Sequence, residues 1–260
     1  MSTHILPWPR PLRALPLLFL PFLALGCSGS STEPEGAPPV IESLPRPLTS
    51  QETLLARAGN DFAFDLLKQV AAAESGNLFL SPVSASMALG MAASGAEGET
   101  FAQMREMLGF GSLSREEMGA GYRGLLELLR NLDPRVEFEV ANSVWLREGF
   151  PVKPDWLAFV GSSFDATART LDFSSPSAPT TINAWVAERT RNRIPTIVEP
   201  PIDPATMAFL INAIYFKGDW RDGFDPSATR NGPFAGVSAT ASVPLMRQEG
   251  DFAYTAGEDH

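Results

Sequence analysis

Met207-Ala208-Phe209-Leu210-Ile211-Asn212-Ala213-Ile214-Tyr215-Phe216 is the stretch whose reading decides the fold. Every residue but Asn212 is apolar or aromatic. A half-exposed strand would alternate apolar and polar side chains; this one does not, so it reads as a central strand covered on both faces. In an extended chain Asn212 shares a face with Ala208, Leu210, Ile214 and Phe216. An amide buried there without a partner costs about 1–3 kcal/mol. Either neighbouring elements supply partners, or the sheet is only partly covered at this point and the amide meets water.

Upstream, Val136, Phe138, Val140, Asn142, Val144 and Leu146 alternate with Glu137, Glu139 and Ser143, a strand of period two whose apolar face again carries one amide. Residues 166–173 give a third strand, and the region 231–260 two more, around Phe234 and Val243. Helices are expected over 54–73, with Leu55, Phe62, Leu66 and Val70 near one face and Gly76 as the stop, and over 82–94, with Ser81 as cap and Pro82 at the first position. A short helix follows over 100–108. Ser114-Arg115-Glu116-Glu117 is a capping box, Leu113 and Met118 stand at staple spacing, and the helix they open runs to 131. Two further helices fall over 154–160 and 181–193, the latter burying Ile182, Trp185 and Val186 and ending near Pro195. Helices and strands mix without regular alternation, so the fold class is α+β.

The amino-terminal end has another character. His4, Arg10 and Arg13 precede an apolar run, 14–25, that is short and broken by Pro16 and Pro21, as in a secretory signal segment rather than a membrane span. Leu23-Ala24-Leu25-Gly26-Cys27 resembles the lipobox of bacterial lipoproteins, which makes Cys27 the expected lipidation site; the alternative is an ordinary secretory signal with an incidental cysteine. Residues 27–50 are Ser, Gly, Pro and Glu with few large apolar side chains, a composition that reads as a disordered tether. The expected organisation is signal peptide 1–26, lipid-anchored linker 27–50 and one domain over 51–260.

Composition excludes several functions. Cys27 is the only cysteine, so neither a disulfide within the chain nor a cysteine zinc site can form. His4 and His260 are the only histidines, which leaves almost no material for a Ser-His-Asp set, a Cys-His set or a histidine metal site. Cleavage before Cys27 removes Arg10 and Arg13 and no acid, taking the net charge from −10 to −12, the wrong sign for a nucleic-acid partner. No cofactor is expected. Gly119-Ala120-Gly121-Tyr122-Arg123-Gly124 has dinucleotide-loop spacing but lies inside the capped helix rather than between a strand and a helix start, so it reads as small residues on a tolerant exposed side. Ser81 lacks the G-x-S-x-G surroundings of a nucleophile and reads as a cap. Glu116-Glu117 and Glu258-Asp259 read as solvated surface.

Five segments in order resemble the serpins, from about residue 59 to 259. Asn77-Leu78-Phe79-Leu80-Ser81-Pro82-Val83-Ser84, with Ala88-Leu89 and Gly95-Ala96-Glu97-Gly98-Glu99-Thr100, is similar to the family's second-helix signature. Asn212-Ala213-Ile214-Tyr215-Phe216-Lys217-Gly218-Asp219-Trp220, with Phe224-Asp225-Pro226 and Thr229, is similar to its long central strand and the turn beyond. Ala141-Asn142-Ser143-Val144-Trp145, then Ile182-Asn183-Ala184-Trp185-Val186 with Thr190 and Ile194, then Val243-Pro244-Leu245-Met246 with Tyr254, complete the match.

The resemblance implies a strained fold of three sheets and about nine helices, present here as its amino-terminal part: helices, strands of the large sheet and part of a second. In such a fold a protease cleaves an exposed loop, the loop enters the large sheet as a new strand, and the acyl-linked protease is distorted. By position Ser81, Ser84 and Asn212 match the shutter beneath that sheet and Trp220 the breach at its top; none is catalytic. The hinge, the bait residues and the histidine that partners the shutter asparagine belong to the family pattern beyond Tyr254. The expectation is that these 260 residues alone inhibit no protease and leave strand 207–216 as an open edge. The implied partner is a serine or cysteine protease, met by a monomer on the cell envelope or outside the cell, at an outer membrane if Cys27 is lipidated. Two rivals are a non-inhibitory serpin that carries a ligand or partner, and an envelope hydrolase.

Overall fold

The computed structural model describes residues 41–236 and 239–252; the expected signal segment, Cys27 and His260 lie outside them. Thr49 opens the first helix, α1 (Ser50–Ala73), with a reciprocal box: its hydroxyl accepts from the Glu52 N–H, and the Glu52 carboxylate accepts from the Thr49 N–H. The helix therefore starts four residues before the expected 54, and the linker expected to reach 50 is fixed from Arg46, whose guanidinium grips Glu52.

α2 (Pro82–Gly95) carries Pro82 in its first turn, but Ser81 makes no side-chain cap; its hydroxyl donates to Ser84 Oγ instead. α3 (Gly98–Met107) leads to α4 (Arg115–Arg130), whose Ser114–Glu117 box forms as expected. Leu113 and Met118, the expected staple, are both buried in the core. Next come β1 (Val136–Arg147) and α5 (Pro154–Phe164), which runs four residues past the expected 160 and stops at Asp165, in the left-handed region with φ 54°. β2 (Ala166–Leu171) ends two residues early.

α6 (Ser177–Arg189) is shifted four residues towards the amino terminus from 181–193. Pro195 does not end it. Arg191 and Asn192 turn out of the helix at φ 49° and 61°, and Thr190 bonds the Val186 carbonyl and the Ile194 N–H. β3 (Ala208–Gly218), β4 (Arg230–Ala235) and β5 (Thr240–Leu245) complete the described chain.

The sheet order is β2-β1-β3, with β1 parallel to β2 and antiparallel to β3, so β3 is an edge among the described residues. β4 and β5 form a separate antiparallel pair. Both faces of the larger sheet are covered through the middle of β1 and β3. On one face Val140, Val144, Leu146, Leu210 and Ile214 pack with Met87, Met91, Tyr122, Val160 and Phe164 from α2, α4 and α5. On the other, Trp145, Ile211 and Ala213 pack with Ile182, Trp185 and Val186 of α6. Two apolar faces are why 207–216 shows no alternation. Coverage lapses towards the strand's end, where Phe216 is 67% exposed.

The glycines of α4 do not lie on a tolerant exposed side. A methyl at Gly119 would stand 2.6 Å from the Phe159 ring, and one at Gly121 would run into Leu55. They let α5 and α1 approach α4 closely.

Candidate functional site

Asn142 and Asn212 face one another across β1 and β3, directly paired in the register. Their amide orientation follows from what lies at the far end. α5 stops at Phe164, whose carbonyl is among those a helix leaves without an internal partner. A carbonyl only accepts, so the Asn142 amide nitrogen must face it, and does at 2.7 Å. Asn142 Oδ1 is thereby turned to Asn212, which donates from Nδ2 at 2.8 Å and also lies 3.3 Å from Met87 Sδ. The run of donation ends at Asn212 Oδ1, which is buried and takes no hydrogen bond from any described residue.

Asn212 is half-buried, and the expectation that it has partners on neighbouring elements is met for its nitrogen and not for its oxygen. Periodicity places one amide on the apolar face of 136–146 and another on that of 207–216, but does not pair the two strands. Two lone amides at mid-strand in two apolar strands were the available signal.

Ser81 and Ser84 lie beside this pair rather than in it. Their hydroxyls bond each other at 3.0 Å, and α2 reaches Asn212 through Met87, three residues beyond Ser84. Trp220 stands after the end of β3, 63% exposed, with its ring edge-on to Phe224 at 5.2 Å. A second buried polar contact braces α2 from beneath. The Tyr122 hydroxyl donates to the Ser86 carbonyl at 2.9 Å and stands 2.8 Å from Ser86 Oγ, while burial pushes its pKa far up, so it stays a neutral donor.

Just before α1, Arg46 donates twice to Glu52, both at 2.7 Å, and once to the Gly124 carbonyl at 3.3 Å. The guanidinium, helped by the Thr49 N–H, holds the Glu52 carboxyl down to about 2. A methyl at Gly124 would collide with that carboxylate.

Nothing in this arrangement supplies a nucleophile with a base. Among the described residues there is no group of three His, Cys, Asp or Glu placed to hold a metal, and no helix long and apolar enough to cross a membrane. What it supplies is a buried polar seam beneath an α+β sheet, running out towards an open strand edge.

Residues 57–260 match the family model described as serpin, serine protease inhibitor, and the chain belongs to the serpin family. It is 35% identical over 213 residues to an uncharacterised serpin-like protein of Thermococcus kodakarensis, covering 80% of this chain and 49% of that one. It is 31% identical over 219 residues to neuroserpin of Homo sapiens, covering 83% and 52%. Among solved structures it is similar to human thyroxine-binding globulin complexed with thyroxine, with TM-score 0.70 and 29% identity over 76% of this chain and 55% of that one. It is also similar to emu ovalbumin, with TM-score 0.69 and 26% identity over 75% and 55%. The chain spans about half the length of the curated relatives it matches. The fold is the mixed α+β fold of the serpins in part, and the family is one of inhibitors and binding proteins, not enzymes.

Proposed function

We propose that this is a serpin-type inhibitor of serine proteases whose large sheet admits a further strand beside β3, with Ser81, Ser84 and Asn212 as the shutter and Trp220 at the breach. The observation that carries this is the oxygen of Asn212, buried at the open edge of β3 with no described donor. A buried acceptor left in this condition costs about 1–3 kcal/mol, and a strand laid along β3 brings donors to it. The chain spans about half the length of its curated relatives, so the trapping step is assigned to the whole inhibitor rather than to these residues alone. Lipidation at Cys27 then places the domain on the cell envelope, outside the membrane.

The non-inhibitory reading has its own support in the likeness to ovalbumin and to a globulin solved with thyroxine. Annealing and trapping separate the two. A strand-length peptide of small and β-branched residues is added to residues 28–260, and the thermal midpoint is followed alongside a trypsin-type and an elastase-type protease. The expected result is a raised midpoint with peptide and no SDS-stable protease adduct from 28–260 alone. A midpoint that no such peptide moves removes the strand-accepting sheet, and an adduct formed by 28–260 alone removes the need for further polypeptide.

A further inference from the structure

α6 is fastened to the sheet at two places of different chemistry. Its middle is apolar: Ile182, Trp185 and Val186 sit on Trp145, Ile211 and Ala213. Its carboxyl end is ionic. The chain leaves the helix through two consecutive non-glycine residues in the left-handed region, Arg191 at φ 49° and Asn192 at φ 61°, closed by the Asn192 N–H on the Ala187 carbonyl at 2.7 Å. Asparagine tolerates that conformation. Arginine does not favour it, and glycine at 191 would relieve the backbone.

The strained turn delivers the Arg191 guanidinium onto the sheet. It pairs with Glu137 and, at 2.5 Å, with Glu139, both on β1, and its carbon lies 4.4 Å from the centre of the Tyr215 ring on β3. Lys217 of β3 holds Glu137 from the other side at 3.0 Å. Glu137 is opposite Lys217 in the strand register and Glu139 opposite Tyr215, so one residue at the helix end spans two adjacent cross-strand pairs. Backbone strain kept at a position whose side chain makes such a cluster is a reason to look for a working part.

We propose that Arg191 is a latch: the cluster it forms with Glu137, Glu139, Lys217 and Tyr215 sets how often the carboxyl end of α6 lifts from β1 and β3, without governing the stability of the sheet. The members are each partly exposed, with side-chain accessibilities of 39–63% where they pair, so the latch is weakened by salt. Its meaning for strand entry rests on the proposed function; the latch itself does not.

Amide hydrogen exchange of the full chain tests it on three backgrounds: wild type, Arg191→Gly, and the double variant Glu137→Gln/Glu139→Gln. The first variant removes every side-chain contact of Arg191 together with the strain; the second removes its ion pairs and leaves the strain and the Tyr215 contact. In the double Gln variant, amides over 186–192 should exchange about fivefold faster, the scale of a partly exposed ion-pair network, and wild type should approach it in about 0.5 M salt; in Arg191→Gly relief of the backbone opposes the loss and the rise should be smaller. Peptides from β1 and β3 should keep their protection. Unchanged exchange over 186–192 in the double Gln variant overturns the latch, as does an equal rise across helix and sheet, which would mark global loosening. Because no strand peptide is present, a loosened helix end in a protein that anneals no peptide leaves the latch standing and removes the proposed function alone.

Discussion

Asn142 should matter more to stability than Asn212, although Asn212 lies on the strand that identifies the fold. Truncating Asn142 to alanine strips the Phe164 carbonyl of its partner and leaves the Asn212 nitrogen only the Met87 sulfur, while truncating Asn212 removes the contacts to Asn142 Oδ1 and Met87 Sδ together with an oxygen that already has no described donor. The expected losses are about 2–4 kcal/mol for Asn142→Ala and about 1 kcal/mol for Asn212→Ala, read from urea midpoints. Equal or reversed losses would show that the seam is not anchored at α5.

Glu52 gives a second test at this scale, in acid. Its carboxyl is held near 2 in the folded chain against a usual 4.5, first by the hydrogen bonds from Arg46. The unfolded chain therefore binds the extra proton between those values. The stabilisation is complete above about pH 4.5 and is lost as pH falls towards 2. Glu52→Gln should lower stability at pH 7 by up to about 3 kcal/mol, and the gap to wild type should close on acidification. A gap independent of pH would mean that packing, not charge, is what the substitution removes.

At the scale of elements, what could be read in advance was what neighbours in sequence decide. The Ser114–Glu117 box and the Leu113–Met118 staple lie within one turn and formed as read. Thr49–Glu52 has the same spacing but sits in a run whose Pro and Ser composition reads as tether, so the helix start was placed late. The end of α6 was set at Pro195 because proline is the visible stop, whereas the actual stop is the Thr190 bonds and a left-handed arginine that no propensity suggests. Packing between helices was the least legible. Gly119 and Gly121 could be seen as small, but not that Phe159 and Leu55 need their space. Gly90 on α2 carries the same lesson, since a methyl there would stand 2.8 Å from the Tyr122 ring. Alanine gains about 1 kcal/mol over glycine in an open helix. Here crowding should win, and Gly90→Ala should destabilise by about 1–3 kcal/mol. A stabilised Gly90→Ala would mean that α2 and α4 separate freely.

The shutter role proposed for Ser81 and Ser84 rests on family likeness alone. Ser81 and Ser84 are two hydroxyls at a helix start, and nothing in periodicity tells a cap from a seam. At the scale of the molecule, two surfaces compete to explain how these residues would associate. One is the β3 edge, with backbone groups open along its outer side among the described residues. The other is apolar: Phe64 on α1, Phe79 just before α2 and Val83 on α2 are 66%, 99% and 47% exposed. Strand edges pair by hydrogen bonding in register, and an annealing peptide N-methylated at the amides that would face outward closes the edge; an apolar face is not closed this way. Light scattering of residues 28–260 with and without the annealing peptide distinguishes them. Scattering that falls as the thermal midpoint rises assigns self-association to β3, the expected outcome. Scattering that persists at a raised midpoint assigns it to the Phe79 face, and Phe79→Ser should then abolish it while leaving peptide annealing intact, because Phe79 contributes nothing to the seam at Asn142 and Asn212.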